Sequence, residues 1–125
     1  MEEGQNGNTS EQLLYCIVEG IREIKGKDIT VLDLRKIQNA VCEYYVICTG
    51  DSNTHVAAIA DGLAEHVRIK MNEKPWHTEG LSNADWVLVD YVSIAVHVFR
   101  KETREFYDLE SLWADAIITE HEDFT

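Results

Sequence analysis

The sequence predicts an α+β fold, a mixed β-sheet with helices packed on it, built as a single domain. Three observations carry that expectation. Residues 79–99, EGLSNADWVLVDYVSIAVHVF, alternate with a period of two and read as two strands with unequal faces. Residues 13–24 and 56–67 instead keep their apolar side chains at helical spacing. The chain has 125 residues, is 45% hydrophobic and contains a single proline, which suits one soluble domain. No apolar run approaches the roughly 20 residues of a membrane span.

Residues 1–8 read as a flexible N-terminus. Thr9 followed by Gln12 has the spacing of a capping box, and Leu13, Leu14, Ile17, Val18, Ile21 and Ile24 continue it as a helix that Gly26 closes. Residues 29–34 are dense in β-branched and aliphatic side chains and read as a strand. After the irregular RKIQNAV comes a second strand, residues 44–49, broken by Gly50. Ser52 is placed to cap a long helix that turns Val56, Ile59, Ala60, Leu63 and Val67 to one side. NEKPWHTEG, which holds the proline, reads as a loop. In the next strand Val87, Val89 and Tyr91 oppose Trp86, Leu88 and Asp90. In its successor Ile94, Val96 and Val98 oppose Ala95, His97 and Phe99. Residues 101–116 read as one or two short helical turns, and 117–125 as an acidic mobile tail. With two main helices on the aliphatic sheet face, the Trp86/His97/Phe99 face is expected to stay open. A surface of aromatics with an Asp and a His has the make-up of a recognition site.

Net charge is −12, which argues against extensive direct nucleic-acid binding and suits a basic protein partner. From Glu105 onward there are seven acidic residues and no Lys or Arg. Three cysteines without CxxC spacing fit reduced thiols. The acidic, polar N-terminus is neither a secretory signal nor a basic leader, so a cytoplasmic location, in bacteria, is expected.

Catalysis finds little support. A strand, TGDS and then a helix is a reasonable phosphate-holding turn, and a nucleotidyltransferase-like nucleotide-binding protein or enzyme is therefore the alternative reading. Such enzymes need paired carboxylates for metal ions, whereas WVLVDYV offers only Asp90, with Asp33 as a distant substitute. No Walker loop, HExxH or GxSxG occurs. His55 and His66 are about 16 Å apart along a helix and cannot share an ion. Cys48 sits in a buried-looking strand, where a thiol is usually a small hydrophobe. The expectation is no enzyme, no cofactor and no metal. A binding module leads, with Trp86 and Phe99 as anchors, Asp90 and its acidic neighbours for basic groups, and self-association into a homodimer as a second use of the same face. Trp76 and Trp113 are expected to pack against their own fold.

Four segments carry a further signal: DITVLDLR, YYVICTGDSNTHVAAIAD, EGLSNADWVLVDY and VHVFRKETREFYDLESLWADA. In this order and spacing, over most of residues 11–116, they resemble the ribosomal silencing factor (Iojap-related) family. The resemblance implies a silencing-factor domain over 9–116, with an α+β fold of nucleotidyltransferase-like topology but no catalysis. It implies a translational repressor for starvation or stationary phase, which docks on the large ribosomal subunit through its protein number fourteen. Bound there, it would block the small subunit sterically. On the matching positions, Trp86 falls on the ribosome-contacting surface, with Glu79, Gly80, Asp85, Asp90, Tyr91 and His97 around it. Asp90 and Glu79 are expected to pair basic groups of the partner; alternatively Asp90 and His97 brace each other internally. Val92-Ser93 departs from the Gly-Asp that many members carry, which leaves the geometry of that turn open.

Overall fold

In a computed structural model of the chain, which describes residues 9–113 and 115–121, the capping box at Thr9 closes in both directions. Gln12 N–H donates to Thr9 Oγ1 at 3.1 Å and Thr9 N–H to Gln12 Oε1 at 2.9 Å. This starts α1, Ser10–Glu23. The helix ends in a Schellman motif: Gly26 N–H donates to Ile21 O and Lys25 N–H to Arg22 O, both at 2.9 Å. The left-handed position there is Lys25, φ 62°, not Gly26. Gly26 is required for a different reason, since a Cβ would lie 2.4 Å from Ile21 Cγ2.

The strand β1, Lys27–Asp33, runs antiparallel to β2, Tyr44–Gly50. Ser52 Oγ then accepts from His55 N–H at 3.1 Å and caps α2, Asn53–Met71, which ends on Asn72 in the left-handed region. Next come β3, His77–Glu79, β4, Trp86–Asp90, and β5, Ile94–Arg100. The short helices α3, Lys101–Tyr107, and α4, Leu109–Leu112, lead to β6, Ile117–His121. Among the described residues the sheet has six strands in the order β3-β4-β5-β2-β1-β6. β2 and β5 pair in parallel and the other neighbours antiparallel, so the sheet is mixed and the fold is α+β.

The predicted strand parity holds. Val87, Val89, Ile94, Val96 and Val98 face α1 and α2, and together with Ile17, Ile21, Ile59 and Leu63 they form the main core. Burial of such side chains contributes roughly 1.5–3 kcal/mol each. The opposite face is less open than expected. Phe99, Ile47, Leu32 and Leu34 build a second, smaller core beneath residues 37–42, Leu109 and Trp113. The segments read as irregular links fold back over the sheet because its second face is itself too apolar to stand in water.

Two elements were not anticipated. Residues 77–79, expected in a loop, pair with β4 as a three-residue edge strand. Residues 117–121, expected within a mobile tail, pair with β1: Ile117, Ile118 and Thr119 are β-branched, and β1 otherwise presents an unpaired edge. The expected flexible residues 1–8, and 122–125 of the tail, lie outside the described residues.

Candidate functional site

The face away from α1 and α2 is laid out by strand register. One row across the sheet reads Glu79, Leu88, His97, Ile47 and Thr30; its neighbour begins with Trp86, Phe99 and Thr49. Period-two alternation on five strands therefore converges on a single surface. Trp86 opens the second row, at the start of β4. Its ring lies on the buried Phe99 ring, with centroids 4.9 Å apart, and against Tyr107 of α3, at 4.8 Å. Phe106 meets Tyr107 edge to face at 5.0 Å. Phe106 is 80% exposed and Tyr107 49% exposed, so this end of the aromatic cluster is offered to solvent.

Trp86 is also tied inward. Its Nε1–H donates to His97 Nδ1 at 3.0 Å. His97 is buried, and its ring further meets Tyr45, which in turn meets Trp113. The bond from Trp86 needs an unprotonated Nδ1, so the imidazole is neutral with its proton on Nε2, an atom buried without a partner among the described residues. Burial holds the His97 pKa down at about 4, with Asp90 opposing weakly. His97 is therefore a seat for Trp86 rather than an exposed contact.

The remaining expected site residues divide. Gly80 has φ +94°, and a Cβ there would lie 2.2 Å from Trp86 O, so it is needed for the chain to pass close to β4. Asp85 is committed internally: its Oδ1 accepts from Asn53 Nδ2 at 2.8 Å and Arg100 Nη1 at 3.1 Å, which joins α2 to β5. Asp90 is half-buried and caps the hairpin by accepting from Val92 N–H at 2.8 Å. Glu79 is exposed and hydrogen-bonds His77. Tyr91 is not on this face at all. It turns to the helix side, 7% exposed in the main core, because it has the parity of Val87 and Val89.

Two concavities flank the aromatics. One, of about 570 Å³, is lined by Gly80, Asp85, Trp86, Glu102, Phe106 and Tyr107. Aromatic walls with the Glu102 carboxylate at the rim suit a Lys or Arg side chain. The other, of about 410 Å³, includes Val41, Tyr45, Trp76, Leu88, Val92 and His97. Trp76, expected to pack inward, is 73% exposed; Trp113 packs on Tyr45 as expected. Phe106 and Tyr107 were legible only as apolar turns of a helix. Nothing in the sequence says that α3 stands beside Trp86.

The nucleotidyltransferase alternative gains nothing from this geometry. Asp33 and Asp90 lie on β1 and β4, three strand positions apart, roughly 14 Å. They also have opposite parity, because Asp33 pairs with Tyr44 on the row of Ala95's preceding neighbour, Ile94. Asp33 is held by Arg35, whose guanidinium keeps its carboxyl below the usual range. Burial pushes the Cys48 thiol up to about 12, which leaves it inert.

The ordered motifs and this fold now meet an independent finding. The family model described as "Ribosomal silencing factor during starvation" matches residues 7–125. The chain belongs to the ribosomal silencing factor family. It is 35% identical over 102 residues to the ribosomal silencing factor of Haemophilus influenzae, covering 82% of this chain and 98% of that one. It is 40% identical to that of Bacillus subtilis over 95 residues, covering 74% and 76%. A crystal structure of a Chromobacterium violaceum protein superposes with a TM-score of 0.80 at 32% identity, covering 86% of this chain and 88% of that one. The match includes the acidic residues 117–125 as well.

Proposed function

We propose that this chain represses translation by docking its aromatic face on the large ribosomal subunit, at protein number fourteen, so that the small subunit cannot join. The observation that carries the reading is the Trp86–Tyr107–Phe106 cluster, open to solvent at Tyr107 and Phe106, with Glu102 at its rim. Clustered aromatics with a charged border are the usual anchors of protein interfaces. A net charge of −12 complements the basic proteins of a ribosome. The mechanism is steric and asks no chemistry of the chain. Family membership supports the ribosomal setting. Glu79 lies at the edge of the same face and adds a carboxylate for a basic partner group.

The test is co-sedimentation with isolated large subunits, small subunits and joined ribosomes. Selective pelleting with large subunits, and loss of joining when small subunits are added, is the expected result. Tyr107→Ala and Phe106→Ala remove exposed rings and should each weaken large-subunit binding by about 2 kcal/mol, roughly thirtyfold. Trp86→Ala is a poorer probe, because it also strips His97 of its hydrogen bond. Unaltered pelleting of both α3 variants would remove this face from the contact.

A further inference from the structure

The sheet's other side carries a cluster unrelated to the aromatic surface. Cys16, Glu19 and Glu23 stand at i, i+3 and i+7 of α1 and share one stripe of the helix. His66 reaches them from α2. Cys16 Sγ, a Glu19 carboxylate oxygen and a His66 ring nitrogen all lie within 4.8 Å of one another. His66 Nε2 is 2.8 Å from Glu19 Oε1, and Nδ1 is 3.5 Å from Glu23 Oε1, so each ring nitrogen faces a different carboxylate. Cys16 is buried, while Glu19 is partly open to a shallow groove that it lines with Cys16 and Lys70.

The main core that holds Cys16 also holds an idle polar group. The Tyr91 hydroxyl is buried without a partner among the described residues. A thiol, two carboxylates and an imidazole thus converge from α1 and α2.

We propose that Cys16, Glu19 and His66 form a binding site for a divalent transition metal of the zinc class, with Glu23 holding the second ring nitrogen of His66. Sulfur, nitrogen and oxygen donors in one set suit zinc, whereas calcium and magnesium take oxygen ligands in larger number. Tetrahedral bonds of about 2.0–2.3 Å put ligand atoms roughly 3–4 Å apart, which side-chain rotation reaches from the present spacing. Three protein ligands leave the fourth position to water. Glu23 would act as the carboxylate that orients a metal-bound histidine. On binding, the Cys16 thiol gives its proton to solvent, as does Nε2 if it carries one. The metal would pin α1 to α2 without touching the ribosome-facing side.

The experiment is titration of the full chain with Zn²⁺ against a chromophoric chelator, paired with Co²⁺ absorption spectra. One Zn²⁺ per chain is expected, together with a thiolate-to-cobalt charge-transfer band that Cys16→Ser removes. His66→Gln and Glu19→Gln should weaken Zn²⁺ binding more than about tenfold, and Glu23→Gln about tenfold. Cys42→Ser should alter neither signal. Circular dichroism checks that each variant folds. If Cys16→Ser does not, the partly exposed His66 and Glu19 variants carry the test. Absence of stoichiometric Zn²⁺ binding overturns the proposal. So does unchanged affinity in His66→Gln and Glu19→Gln, which would put the ion elsewhere.

Discussion

At the residue scale, His97 controls how Trp86 is presented. Its Nδ1 accepts the indole N–H only while the ring is neutral, and burial keeps it so down to about pH 4. An unfolded histidine titrates near 6.5, so between about pH 6.5 and 4 the unfolded chain takes up a proton that the folded chain refuses. Stability contributed by the neutral ring is fully present above pH 6.5 and is lost as pH falls through that window, by roughly 3 kcal/mol in all. His97→Gln keeps an acceptor for Trp86 but cannot titrate. Urea unfolding at pH 7.5 and pH 4.5 should therefore show a smaller acid loss in the variant than in the parent. Equal losses would mean that the carboxylates alone set the acid limit. Trp86 itself was legible from strand parity as a member of the face opposite the aliphatic row. Its bond to His97 was not, because parity says which face a side chain takes and not which neighbour it reaches.

Among the elements, the β4–β5 hairpin is strained at its tip. Val92 has φ +74°, and Ser93 N–H donates to Tyr91 O across it at 2.9 Å, a γ-turn of the rarer positive-φ kind. A β-branched residue is a poor occupant of that region. Asp90 compensates in part by accepting from Val92 N–H. The Val92 side chain is largely exposed, so little burial is forfeited by removing it. Val92→Gly should stabilise the fold by about 1 kcal/mol and raise Tm by roughly 4 °C, measured by thermal unfolding. A lower Tm would show that Val92 packs usefully against the neighbouring groove. The sequence located this mismatch; only the backbone showed that the strain is borne, not avoided by another turn type. β6 teaches the converse. Its β-branched run was visible, yet it lies amid acidic residues, and its strand state depends on the free edge of β1.

For the whole molecule, charge is the quantity that matters. A net charge of −12 adds long-range attraction to a basic target, and salt screens it over about 10 Å at 0.1 M. Large-subunit binding, followed by sedimentation as salt is raised from roughly 50 to roughly 300 mM, should weaken several-fold. A flat response would make the acidity incidental and leave the aromatic contacts to carry affinity alone. The two faces of the sheet differ accordingly: α1 and α2 close one side into the main core, and the other carries the smaller core and the exposed rings of Phe106 and Tyr107.

Strand alternation, two capped amphipathic helices and the ordered family segments were local or linear, and the sequence by itself determined them: the α+β class, both caps, the aliphatic face and the family. The tertiary structure alone decided which side chains meet across distance. It brought Phe106 and Tyr107 to Trp86, folded residues 37–42 over Leu32 and Phe99, buried Tyr91 and His97, and drew β6 onto β1. The reason is physical. Periodicity assigns a side chain to a face within its own element, whereas partners across elements are chosen by where apolar surface and unpaired strand edges are left to be covered.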